Sequence, residues 1–253
     1  MASALQDNSF LVEEAYDQEP GVVQHIWNAV LGVNHHAGNS ETRWDTSFTQ
    51  EWPIGSETHQ FSYTAPVSFI DGAHESENGI GDVLLNYRLQ VLSETVQRPA
   101  FSPRFSLILP TGDEDRGLGN GVVGYQVNLP VSKIVSDRWT LHGNLGATFL
   151  PEVEGHDLFN YNVGGSAIFA VSRELNLMLE CVSFCNEEVD GRGTRRDCAA
   201  ILSPGFRYAF NFKNGTQVVG GIAAPVGLTS TAPDYGVFLY FSVEHFFARP
   251  SKR

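Results

Sequence analysis

Trp139-Thr-Leu-His-Gly-Asn-Leu-Gly-Ala-Thr-Phe149 places Trp139, Leu141, Leu145, Ala147 and Phe149 on one side of an extended chain and Thr140, His142, Asn144 and Thr148 on the other. Side chains of a strand alternate between its faces, so this stretch is a strand with one dry and one wet side. The same alternation continues outward in both directions. Phe61, Tyr63, Ala65, Val67 and Phe69 oppose Gln60, Ser62, Thr64 and Ser68, while Val83, Leu85, Tyr87 and Leu89 oppose Asp82, Asn86, Arg88 and Gln90. Phe101, Phe105, Leu107 and Leu109 oppose Ser102, Arg104 and Ser106. The apolar phases of these segments carry no charge.

Twelve segments of this kind are predicted, over residues 22–33, 44–52, 59–70, 81–92, 101–110, 122–134, 139–150, 159–171, 175–184, 198–211, 216–227 and 235–246. The first, ninth and eleventh alternate less cleanly, and 22–33 also reads as a helix or plug. With 25 glycines, 11% aromatic and 18% charged residues, the composition suits strands and tight turns better than helices. The fold class is all-β. In the 253 residues no Pro/Ser-rich linker separates halves, so one domain is expected. Residues 1–20 are read as an N-terminal arm or plug, 21–248 as the all-β body and 249–253 as a tail.

Two architectures bury such a pattern: a soluble β-sandwich, and a barrel with lipid outside and water inside. Connections after even-numbered segments are short, at 53–57, 135–137, 172–174 and 213–215. Those after odd-numbered segments are longer and acidic, at 34–43, 71–79, 111–120 and 186–197. Residues 93–100 are the exception. Loops sorted by length onto two rims, an even strand count and segments of about 9 to 11 residues favour a single antiparallel transmembrane β-barrel of about 12 strands. Aromatics near segment ends, such as Trp44, Trp52, Trp139 and Phe169, fit interfacial girdles.

The net charge of −13, with no basic stripe, excludes a nucleic-acid partner. No apolar run reaches the length of a transmembrane helix, and the first residues lack a secretory signal, so the numbering is expected to begin at a mature or truncated start. Three cysteines form no zinc-like pairing. A Cys185–Cys198 disulfide and three separate thiols both fit.

Several stretches resemble one family of bacterial outer-membrane barrels, labelled as a component of the meta-cleavage pathway of phenol degradation. They are Gln18-Glu-Pro-Gly-Val-Val-Gln-His25, Ser47-Phe-Thr-Gln-Glu-Trp-Pro-Ile-Gly55, Gly79-Ile-Gly-Asp82 with Asn86-Tyr-Arg88, and Pro110-Thr-Gly-Asp113 followed by Gly117-Leu-Gly-Asn-Gly121. All mark turns and strand starts and none is catalytic. The resemblance implies an outer-membrane location and passage of small, including aromatic, compounds.

On the wet phase, Asp82, Arg88, Arg104, His142, Asn144, Glu180, Arg207 and Glu244 are the candidate lumen-lining, solute-selecting residues. The same groups would also serve a closed barrel that satisfies its own charges, with a structural or assembly role. His35, His36, His74 and His156 have no fixed ligand spacing and are read as solvated loop residues, as are Asp113-Glu-Asp115 and Glu187-Glu188. Neither a metal nor a cofactor is expected. An enzyme reading would need a Ser/His pair, and no serine motif accompanies His142. The expected partners are outer-membrane lipid and lipopolysaccharide, the barrel assembly machinery and a small-molecule solute.

Overall fold

The computed structural model describes residues 9–36, 39–71 and 76–247. Twelve staves run in strict sequence order, each antiparallel to the next, and the last pairs with the first, so the sheet closes on itself. They are β1 (Val22–His36), β2 (Asn39–Ile54), β3 (Ser56–Asp71), β4 (Ser76–Ile80 and Val83–Leu89), β5 (Ala100–Phe101 and Arg104–Leu109), β6 (Gly124–Asn128 and Val131–Ser136) and β7 (Trp139–Val153). The series continues with β8 (His156–Ala170), β9 (Leu175–Asp190), β10 (Gly193–Asn211), β11 (Gln217–Ala223 and Val226–Gly227) and β12 (Tyr235–Phe246). Closure removes every free sheet edge, which a bilayer requires because lipid supplies no hydrogen bonds. Residues 22–33 are strand, with Val22 to Val33 paired along β12.

The dry phase points outward. Leu145 and Val163 are each 55% exposed and Phe206 46%, whereas His142, Ser166 and Glu180 on neighbouring wet positions are at most 5% exposed. In water such a surface would be one continuous apolar patch, far beyond what a soluble monomer tolerates. Aromatic pairs border it on both sides: Trp139 with Phe169 at 5.0 Å between ring centres, and Phe149 with Phe159 at 4.7 Å. Ten residue steps from Trp139 to Phe149, at about 3.3 Å each and tilted about 40°, rise about 25 Å, the height of the apolar band of an outer-membrane barrel.

Three stretches expected as loops hold paired strand. Asn34 pairs with Glu41, Asp71 with Ser76, and Asn186 through Asp190 pair with Asp197 through Gly193. These ladders continue past the aromatic border, where water replaces lipid and alternation is no longer enforced. Ion pairs Arg196–Glu187 (3.0 Å) and Arg195–Asp197 (2.9 Å) decorate the β9–β10 extension, and Cys185 and Cys198 form its disulfide. The β5–β6 connection, 110–123, does form a loop on this far rim and carries a 3₁₀ turn at Glu114–Arg116. His74 lies outside the described residues, as do the side chains of His35 and His36; His156 opens β8, paired with Val153.

Candidate functional site: an occluded lumen

Residues 9–18 run inside the barrel. The amides of Leu11 and Val12 donate to Glu180 Oε1 on β9 (2.8 and 3.0 Å), that of Ala15 to Ser132 Oγ on β6 (2.8 Å) and that of Gln18 to Gln60 Oε1 on β3 (2.8 Å). Ser9 Oγ bonds Ser166 on β8, and Ser102 Oγ on β5 donates to Asp17. A segment that meets inward-facing groups of strands on all sides of a closed sheet occupies its interior. These bonds also satisfy backbone donors that a lumen-crossing segment outside any ladder would leave orphaned.

Two anchors hold the arm. Glu13 Oε1 accepts from Arg88 Nη2 at 2.6 Å and from Arg104 Nε at 2.7 Å, so one carboxylate joins the arm to β4 and β5. Opposite it, the Phe10 ring stacks on Phe238 at 5.0 Å and meets Tyr240 at 5.3 Å. Around that ring the inner wall is apolar, built from Ile168, Met178, Ala209, Val219 and Ala223, with Ile26 and Val30 beside them. Gly221 makes the room: a Cβ there would stand 2.4 Å from Phe10 Cζ. The arm therefore meets two unlike contacts, the guanidiniums of β4 and β5 at Glu13 and an apolar patch on β8–β12 and β1 around Phe10, set beside the buried Glu180 and Arg207.

At the near rim, where both ends of the strand meander lie, a latch joins arm to wall. Tyr16 Oη donates to Glu94 Oε2 (2.6 Å), and Glu94 Oε1 accepts from Lys133 Nζ and the Ile134 amide. Burial pushes the Glu94 carboxyl up, but these three hydrogen bonds outweigh it and hold the group below its usual 4.5.

Above the arm lies a cavity of about 530 Å³. Its floor is Phe10 to Glu14 and its wall is rich in amides and hydroxyls, among them Asn28, Thr49, Asn86, Asn128, Asn144 and Asn162. Arg88 and Arg104 border it as well. The other wet-phase candidates sit elsewhere. Asp82, in the break of β4, accepts from the amides of Gly112 and Asn120 and from Asn120 Nδ2, and so pins the β5–β6 loop. Glu180 and Arg207 are fully buried beside the arm, and Glu244 faces Gln24 and Gln217 near the rim. His142 Nδ1 meets Ser132 Oγ at 2.7 Å, a pairing that no serine motif announced because Ser132 sits ten residues away on β6. Ser132 is completely buried and its oxygen also accepts the Ala15 amide.

Sequence reasoning missed Phe10, Glu13, Tyr16 and Asp17 as partners of this wall. A signal existed: Arg88 and Arg104 share an inward phase without a facing carboxylate of their own register, and the arm carries Glu13, Glu14 and Asp17.

A closed, lipid-facing meander of twelve strands around a polar, arm-filled lumen is a transmembrane β-barrel of the bacterial outer-membrane type. The chain belongs to the family described as "Putative MetA-pathway of phenol degradation", whose model matches residues 16–243. Its fold is similar to that of an outer-membrane channel from Pseudomonas putida F1 at 12% identity, covering 92% of this chain and 98% of that one with a TM-score of 0.72. It is also similar to the translocator domain of the autotransporter NalP from Neisseria meningitidis, at 12% identity, 91% and 90% coverage and a TM-score of 0.57. A comparison with curated proteins found no match.

Proposed function

We propose that this chain is a passive channel for small molecules in the bacterial outer membrane, and that its arm sets whether the path is open. The observation that carries this is the cavity of about 530 Å³ ending on residues 10–14: a barrel built only as a wall has no need of a chamber of solute size lined by amides. Asn144, Arg88 and Arg104 border the chamber and are the groups that would meet a solute first. Asp82, His142, Glu180, Arg207 and Glu244 act at one remove, holding the loop, the arm and the near rim. The relative from Pseudomonas putida F1, itself a channel, supports the reading.

The near rim, with its mostly short turns, faces the periplasm in this proposal, and the extended β9–β10 ladder faces outward. Lipid, lipopolysaccharide and the barrel assembly machinery are its expected partners, and aromatic compounds are the solutes the family description suggests. An enzyme is disfavoured because the Ser132–His142 pair is sealed beneath the arm, where no substrate reaches the hydroxyl.

Planar-bilayer recording of protein lacking residues 1–15 tests the proposal. Resolved single-channel steps, larger than those of the full chain, are expected. A folded, inserted barrel without the arm that passes no current would overturn it and favour the structural role.

A further inference from the structure

His25 on β1 and His245 on β12 come from opposite ends of the chain, and strand pairing across the closing seam brings them together. Val23 pairs with His245 and His25 with Val243, which makes the two histidines diagonal neighbours on one face. Both belong to the outward phase. His25 lies two residues rimward of Trp27, on which it stacks at 6.2 Å, so the pair sits at the level of the lipid headgroups rather than in the hydrocarbon.

Their ring nitrogens face each other. His25 Nε2 and His245 Nε2 are 3.3 Å apart. Two imidazoles bound to one tetrahedral zinc at about 2.0–2.1 Å stand about 3.3–3.4 Å apart, so the observed spacing needs no rearrangement to admit an ion. The orientation of one ring is also set. His245 Nδ1 lies 3.3 Å from the Phe246 carbonyl oxygen, which can only accept; Nδ1 therefore carries the proton and Nε2 presents its lone pair toward His25. A ring nitrogen donated to a backbone carbonyl is the usual outer support of a metal-bound histidine. Without an ion, His25 Nε2 donates its proton to His245 Nε2; to bind one, His25 moves that proton to Nδ1 and offers a second lone pair.

We infer that His25 and His245 form a two-histidine site for a late first-row divalent ion such as Zn²⁺, clipping the first strand to the last at the seam that closes the barrel. Among the described residues no cluster of three or more histidine, cysteine or acidic side chains is suited to a metal, so the remaining coordination positions go to water or a lipid phosphate. Imidazole ligands select this class of ion over Mg²⁺ and Ca²⁺, which prefer oxygen.

Calorimetric titration of the folded, chelator-stripped full chain with ZnCl₂ tests the site. One saturable Zn²⁺ per chain is expected, with Kd at least tenfold weaker in His25→Gln and in His245→Gln, and no response to MgCl₂. A wild-type chain without saturable Zn²⁺ binding, or a double variant that binds as wild type does, would overturn the inference. If the β12 substitution impairs folding, zinc X-ray absorption on the wild-type protein decides: two nitrogen scatterers with imidazole signatures are required, and their absence refutes the site.

Discussion

Replacing Glu13 by alanine removes one of the two anchors of the arm without touching the barrel wall. The carboxylate makes ion pairs of 2.6 Å to Arg88 and 2.7 Å to Arg104, between side chains no more than 15% exposed. Breaking a buried ion pair by deleting one partner costs about 3 to 5 kcal/mol, because the charges left behind lose their compensation. Here the chamber water can solvate the two guanidiniums once the carboxylate is gone, so the lower end, about 3 kcal/mol, applies. The loss falls on the arm-seated state alone. At about 1.4 kcal/mol per factor of ten, release of the arm becomes about a hundredfold more frequent, while Phe10 still favours reseating. Single-channel recording of Glu13→Ala in planar bilayers should therefore show a large rise in open-time fraction, with brief rather than permanent openings. Salt should push the wild type in the same direction by screening. A folded Glu13→Ala barrel with the open fraction of the wild type would refute the arm as the gate.

Other perturbations test separate parts of the account. Gly221→Val puts carbon where Phe10 Cζ stands 2.4 Å from an ideal Cβ, so the ring must leave its pocket; thiol labelling of Ser9→Cys, in a Cys181→Ser background, should speed up at least tenfold. Reducing the Cys185–Cys198 disulfide should lower unfolding stability by about 2 to 3 kcal/mol, read from chemical denaturation, because it closes a 13-residue separation. The latch at Glu94 should respond to acid. Its carboxyl is held below the usual 4.5, so its contribution is present above that value and is lost as pH falls through the lowered one; arm release measured by the same labelling should rise below about pH 4.5, and less so in Glu94→Gln.

Where alternation was clean the strands were legible from residues alone, and the physical reason is that lipid outside and water inside tolerate no exchange. The first, ninth and eleventh segments blurred for one shared reason. Their inner faces carry Ile26 and Val30, Met178, and Val219 and Ala223, packed in the cluster around Phe10, so apolar residues interrupt the inward polar phase. The extensions at 34–43 and 186–197 were read as loops because water lies on both their faces, leaving no periodicity to detect. Of the site, the inward phase of Arg88, Arg104, His142 and Asn144 was legible. Their division between chamber and arm was not, since it depends on Glu13 and Phe10 reaching across seventy or more residues of sequence.

Adjacent positions at the centre of β7 give the most direct test of the whole account. Spin labels at Leu145 and Asn144, in barrels reconstituted into vesicles, should report opposite surroundings: residue 145 relaxed by oxygen dissolved in the bilayer and shielded from a water-soluble nickel chelate, residue 144 shielded from lipid. Equal accessibility at the two sites, or a nickel-exposed residue 145, would contradict an apolar face turned to lipid around an arm-filled lumen.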